Sequence, residues 1–198
     1  RMPMMYDYRL NRGPSDFDLL HAFAANFAWR LPGASHRWIG GWEVHGLGQV
    51  QTGHPFGPFV GFDRANLRAS SGDMGQRPDY IGPRDGSSTI LGRPEQYFDP
   101  SVYGLPAAGT YGNLGRNTLT GPGLVNFDAS LTKVWRFLER SSAQFRFELF
   151  NLANRANFQV PSDFGVFNSQ GQRVSSAGRI SETATTARQI QFALKYMF

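Results

Sequence analysis

The 198-residue chain contains no cysteine, so neither a disulfide framework nor a thiolate metal site can organise it. Such a chain suits an exported protein that avoids stray disulfides, and it suits many cytosolic proteins equally. Long hydrophobic runs are missing too. No stretch approaches the roughly 18 consecutive apolar residues that a membrane helix needs, and the mean hydropathy is slightly negative at −0.38. A helical membrane protein is thereby excluded. A membrane-spanning barrel is not, because its strands alternate lipid-facing and lumen-facing residues and look only half hydrophobic to a window average. Charge is sparse at 18%, and the 20 Lys and Arg behind the formal net charge of +5 are scattered. A nucleic-acid surface wants a concentrated basic stripe interleaved with stacking aromatics, so no nucleic-acid partner is expected.

What the chain does have is 23 Gly, 12 Pro and 17 Phe. Gly and Pro break helices, and aromatic side chains favour strands. An all-β fold follows. At the C-terminus Ile190, Phe192, Leu194, Tyr196 and Phe198 share one parity, with Gln189, Gln191, Ala193, Lys195 and Met197 between them. One apolar and one mostly polar face is the pattern of a strand between lipid and a wet lumen.

Four more segments carry the same alternation. Residues 19–31 place Phe23, Phe27, Trp29 and Leu31 opposite Ala22, Ala24, Asn26 and Arg30, and residues 38–52 place Trp42, Val44 and Val50 opposite Glu43, His45, Gln49 and Gln51. Residues 124–137 set Val125, Phe127, Leu131, Trp135 and Phe137 against Asn126, Asp128, Ser130 and Thr132, and residues 143–153 set Phe145, Phe147 and Leu149 against Gln144, Arg146 and Glu148. Each is near the roughly 9 to 11 residues that a tilted strand needs to cross a bilayer. With the closing segment 187–198 this predicts an antiparallel transmembrane β-barrel fragment of about five meander strands.

The connections alternate in length. Residues 32–37 and 138–142 are tight, whereas 53–123 and 154–186 are long and rich in Gly, Pro, Asn and Ser. Outer-membrane barrels show this asymmetry, with short periplasmic turns and long extracellular loops. Parity sharpens the second tight turn. Facing residues must sum to an even number, so the turn should hold an odd count, most simply Glu139, Arg140 and Ser141, since a strict two-residue hairpin would flip one face. Trp29, Trp38, Trp42 and Trp135 all lie near strand ends that meet the short turns. They predict a periplasmic aromatic girdle, because an amphipathic ring suits the headgroup layer. Lys133 falls on the lipid-facing parity, where its stem is expected to snorkel to the interface.

No catalytic group is nominated, and neither a cofactor nor a metal is expected. His21, His36, His45 and His54 show no metal-binding spacing. The glycine-rich stretch 112–123 has no lysine and no strand-to-helix setting for a phosphate loop. Asp99 and Asp163 are expected to be solvated loop carboxylates, and Glu43, Arg146 and Glu148 to line a wet interior.

Several ordered stretches resemble one family. Gly112-Asn113-Leu114-Gly115-Arg116-Asn117, Gly121-Pro122-Gly123, Asn126-Phe127-Asp128 and Ser130-Leu131-Thr132-Lys133 resemble the C-terminal barrel of Oar-like TonB-dependent receptors. So do Phe150-Asn151-Leu152-Ala153-Asn154 with Asn157-Phe158, Gly178-Arg179-Ile180 and the ending from Arg188 to Lys195. Earlier matches are Gly13-Pro14-Ser15-Asp16-Phe17-Asp18, Gly53-His54-Pro55-Phe56 and Tyr97-Phe98-Asp99-Pro100. The resemblance implies a barrel of about 22 strands closed by a plug, in the outer membrane of a Gram-negative bacterium, that imports a ligand with energy delivered through TonB. The partners it implies are outer-membrane lipid, a plug and further N-terminal strands of the same protein, and TonB acting through that plug.

Arg1-Met2-Pro3-Met4-Met5 lacks the charged and apolar regions of a secretory signal, so the chain is expected to be a fragment with its plug and first strands upstream. The aromatic ending at Ile190, Phe192, Leu194, Tyr196 and Phe198 resembles the signal read by barrel-assembly machinery, and it offers an apolar-faced edge for strand addition. Two alternatives stay open. One is a passive porin or structural outer-membrane protein. The other is a soluble carbohydrate-binding β-sandwich, whose outward Phe residues would pair with a second sheet.

Overall fold

The computed structural model describes residues 8–32, 40–66, 76–85, 89–138 and 141–198. Five long strands form one antiparallel sheet: β1 (Ala22–Arg30), β2 (Trp42–Gln51), β3 (Leu124–Leu138), β4 (Ser141–Phe150) and β5 (Gln189–Met197). Their spatial order is their chain order, a meander in which each strand pairs with its sequence neighbour.

The register carries the alternation across the whole sheet. Phe23 faces Val50, which faces Val125, and Trp29 faces Val44, which faces Leu131. Leu131 faces Phe147, and Phe147 faces Phe192. On the other face Gln49 lies between Ala24 and Asn126, and Arg146 lies between Thr132 and Ala193. Because side chains alternate with period two, a one-residue slip in any ladder would put an apolar row among polar ones. Gly46 and Gly48 interrupt the apolar face of β2, and both make room for rings. A Cβ on Gly46 would collide with the Phe27 ring, and one on Gly48 would sit 3.0 Å from the Phe127 ring. The two phenylalanines therefore lie over bare backbone.

The strand bounds lie within a few residues of the sequence expectation, and two of the shifts have a visible physical cause. The β3–β4 ladder keeps the even parity, but Ser141 pairs with Leu138 and belongs to β4, with a register shift between Arg136 and Leu138. One extra residue, Phe137, thus absorbs the mismatch as a bulge, and an odd-numbered turn that includes Ser141 is not needed. Residues 139–140 lie outside the described set. The fourth strand stops at Phe150 and not at 153, because Asn151 has φ 51° and turns the chain into the left-handed region that asparagine tolerates.

That turn explains why asparagines crowd the segment. β3 begins at Leu124 on its β2 side, but its pairing with β4 begins only at Ala129, leaving the first residues of β3 open on one flank. Side chains fill the gap. Asn157 Oδ1 accepts from Val125 N (2.9 Å) while its Nδ2 donates to Val125 O (3.0 Å) and Thr185 Oγ1 (3.0 Å), copying a strand's backbone pattern. Leu152 N donates to Phe127 O (2.6 Å), and Asp128 accepts from Asn151 N (2.8 Å). Asn151 Nδ2 donates to Arg155 O and Thr186 O, both at 2.9 Å, and Asn154 Oδ1 accepts from Arg188 N (3.0 Å). These bonds tie the loop before β5 to the start of β3.

The chain divides into two compact units, the sheet being one. The other gathers residues 1–20, 52–122 and 158–182, mostly segments expected as irregular loops. They carry a core of their own. Phe56, Val60, Phe98, Tyr103, Leu114, Leu119 and Val166 are buried together, with Phe98 in ring contact with Phe56 and Tyr103, both at 6.0 Å between centroids. Short strand pairs stitch it: Pro55–Phe56 with Leu119–Thr120, Asp79–Tyr80 with Tyr103–Gly104, Ile90–Arg93 with Gln96–Phe98, and, in parallel, Phe59–Val60 with Gly165–Phe167. The last pair joins the two long connections into one body.

Asn157 is 1% exposed, so Asn157→Ala strands two backbone groups of Val125 without partners. It should cost about 1–3 kcal/mol, read as an earlier urea midpoint for sheet unfolding in micelles. Exposed Gln170→Ala should stay within about 0.5 kcal/mol.

Candidate functional site

β5 lies at one margin of the sheet, and among the described residues it pairs with β4 alone. Every residue of it is exposed. Phe192 is 67% exposed although its ring contacts Phe147 at 5.0 Å, and Ile190, Leu194 and Tyr196 stand in the same row. Phe198 lies just beyond the strand, its ring stacked on Tyr196 at 6.0 Å. The free side of β5 therefore carries backbone donors and acceptors beside an apolar row, which suits it to receive another strand. β1 occupies the opposite margin and is exposed along its whole length.

The aromatic residues of the expected girdle share the apolar face. Trp29 sits near the end of β1, Trp42 opens β2, and Trp135 lies near the end of β3. Trp38 lies outside the described residues. Trp42 packs edge-on to Trp135 and to Phe145, both at 6.2 Å. Lys133, paired with Trp42 across the ladder, departs from the expectation that it would snorkel outward. It is 2% exposed, with Nζ 5.2 Å from the Trp42 ring centre and 5.4 Å from that of Trp135. A cation on an apolar face is costly to leave bare, and two indole faces offer it a negative quadrupole.

The opposite face holds charged residues that pair with one another. Arg30 Nε donates to Glu43 at 2.8 Å, His45 lies 3.8 Å from Glu43, and Arg146 lies 3.7 Å from Glu148. Among the described residues no group of three or more His, Cys, Asp or Glu side chains gathers in metal-binding geometry. Asp99 and Asp163 are engaged in turns and are not merely solvated. Asp99 caps the short helix Pro100–Val102 through Ser101 N at 2.8 Å, and Asp163 accepts from Ser176 Oγ at 2.7 Å.

The second unit contains a cavity of about 520 Å³ that sequence reading missed. Its walls include Tyr80, Thr89, Ile90, Tyr103, Asn113 and Leu119, drawn from short strands and turns far apart in the chain. Asp79 and Asn113 fix one wall reciprocally: Asn113 N donates to Asp79 Oδ1 (2.9 Å), and Asn113 Oδ1 accepts from Tyr80 N (2.7 Å). Tyr80 donates its hydroxyl to Pro83 O (2.8 Å) and lies 3.1 Å from Thr89 Oγ1. Burial, then the neighbouring Tyr80 and Asp99, hold the Tyr103 phenol well above its ordinary range, and burial also raises Tyr97.

A family model described as an outer membrane beta barrel domain matches residues 2–191. No curated protein and no solved structure matches the chain. In a barrel of this kind the row through Phe23, Val50, Phe127, Phe147 and Phe192 faces lipid, and the row through Gln49, Asn126 and Arg146 faces the interior. Phe23, Phe27, Phe127 and Phe192 on that row are exposed, as lipid-facing residues of a barrel strand are.

Two outcomes are expected. A double-mutant cycle between Lys133→Met and Trp135→Phe should give a coupling of about 0.5–2 kcal/mol, against additive effects if the rings merely pack nearby. The pH dependence follows from the phenols. Their folded pKa values lie above the unfolded value of 10, so their contribution is complete below pH 10 and is lost as pH rises through the folded values. Near-UV dichroism of the loop unit should therefore decay above about pH 10, and less so in Tyr103→Phe.

Proposed function

The chain belongs to the outer membrane beta barrel domain family, and from that premise we propose that it is part of an Oar-like TonB-dependent receptor in the outer membrane of a Gram-negative bacterium. In this reading it supplies part of the barrel wall and of the external ligand-capturing loops. The observation that carries the reading is the loop unit. Its connections build a buried core and a cavity, which a passive pore does not require, whereas a receptor uses rigid walls to present folded binding loops. The two strand margins at β1 and β5 support it as well. Five strands are fewer than the roughly eight that close the smallest membrane barrel, so further strands of the same protein would complete the wall and a plug would fill it. TonB acts on that plug, and assembly machinery engages the strand bearing Ile190, Phe192, Leu194, Tyr196 and Phe198. The role is binding and transport, with no catalytic step.

The rival is a passive porin, and planar-bilayer recordings of the intact protein separate the two. The receptor reading predicts no steady conductance, together with binding of the isolated periplasmic domain of TonB to the reconstituted protein. A constant open conductance without TonB binding would establish the porin instead.

A further inference from the structure

We infer that the cavity in the loop unit binds an uncharged organic ligand bearing acceptor oxygens on an apolar body. Three observations lead there. The first is size. A space of about 520 Å³ lies within the roughly 300–1,000 Å³ of pre-formed small-molecule sites, and its walls belong to a packed core. Tyr103 and Leu119 belong to that core, and Tyr80 packs against it, so the wall is ordered before any ligand arrives.

The second is the absence of charge. None of the described residues lining the cavity is Asp, Glu, Lys, Arg or His. An anionic ligand would exchange its hydration for a wall with no cation in it and Asp99 acting on Tyr103, a transfer that costs several kcal/mol unless the ion is paired. A neutral ligand meets no such cost, and Ile90, Leu114 and Leu119 accept its apolar body.

The third is the sense of the polar groups. Tyr80 already donates to Pro83 O and meets Thr89. Asn113 has spent its Oδ1 on Tyr80 N, so its Nδ2 retains donors. Tyr103 lines the same wall and is 1% exposed. A phenol is protonated across the physiological range, so the Tyr103 hydroxyl can donate as well. A wall that offers the Asn113 amide donors and a phenol over an apolar floor suits acceptors such as ether, ester, nitro or hydroxyl oxygens. The site stands on the cavity's own geometry. Its further identity, as the first contact for transported cargo, rests on the receptor reading.

The test uses the full chain in lipid nanodiscs and two chromophoric probes that share a nitrophenyl body: neutral 4-nitrophenyl β-D-glucopyranoside and anionic 4-nitrophenyl phosphate. Equilibrium dialysis, corrected with protein-free nanodiscs, should give saturable binding of the glucoside at least about 10-fold tighter than of the phosphate. Tyr103→Phe removes one donor at constant shape and should weaken the glucoside about 3- to 10-fold. Ile90→Trp fills the space from a partly exposed position, so the unit should keep its near-UV dichroism while binding is abolished. Absence of saturable glucoside binding, equal affinity for both probes, or wild-type affinity in a folded Ile90→Trp variant would each overturn the site. No TonB or membrane energy enters the assay, so a positive result beside an open-pore recording would leave the site standing while the receptor reading fell.

Discussion

Everything in the sheet depends on one constraint: in an apolar medium each backbone N–H and C=O must find its partner on a neighbouring strand, because no water is there to take its place. That requirement fixes the ladders, and the ladders fix parity. Once Phe23, Val50, Val125 and Trp29, Val44, Leu131 stand in rows, the apolar face is continuous and the polar face follows with no further choice. The constraint also accounts for features that look incidental in the sequence. Asn157 occupies the flank of β3 that β4 does not reach and reproduces a strand's donor and acceptor with one side chain. The bulge at Phe137 lets β3 and β4 keep their faces across the register shift.

The same logic places the one awkward residue. Lys133 stands in an apolar row, and the ladder allows it nowhere else. Its position opposite Trp42 and two residues before Trp135 gives the amine two ring faces, so burial there is tolerable. The loop unit obeys a different rule. With short strands and abundant proline it cannot build long ladders, and it relies on packing: Phe56, Phe98, Tyr103 and Val166 form the centre, and Pro58, Pro78, Pro106 and Pro161 are fully buried around them. Such a body holds a cavity with a fixed wall, which a flexible loop could not.

The division between what could be read in the sequence and what could not follows from range. Period-two alternation is local, so the five strands and the faces of Phe145, Phe147, Ile190 and Phe192 were visible from their own neighbourhoods. The shelter of Lys133 was not, because Trp42 comes from a distant segment and only register brings the two together. The end of β4 depended on the left-handed turn at Asn151, a choice that several polar residues could also have made. The core of the loop unit left no periodic trace. Pairs such as Asp79–Tyr80 with Tyr103–Gly104 are too short to alternate, and the cavity between them is a product of packing. The asparagine-rich motifs act as ladder substitutes, a role that only the paired backbone reveals.

The central claim is that the two parities of these strands meet two different solvents. Because the chain has no cysteine, single nitroxide labels can be placed cleanly at Phe147→Cys, Glu148→Cys, Gln191→Cys and Phe192→Cys in the bilayer-reconstituted protein. Collision accessibility by electron paramagnetic resonance should alternate, with labels at 147 and 192 relaxed by dissolved oxygen in lipid, and labels at 148 and 191 relaxed by a water-soluble nickel chelate. Equal accessibility to both agents at neighbouring positions would contradict the account.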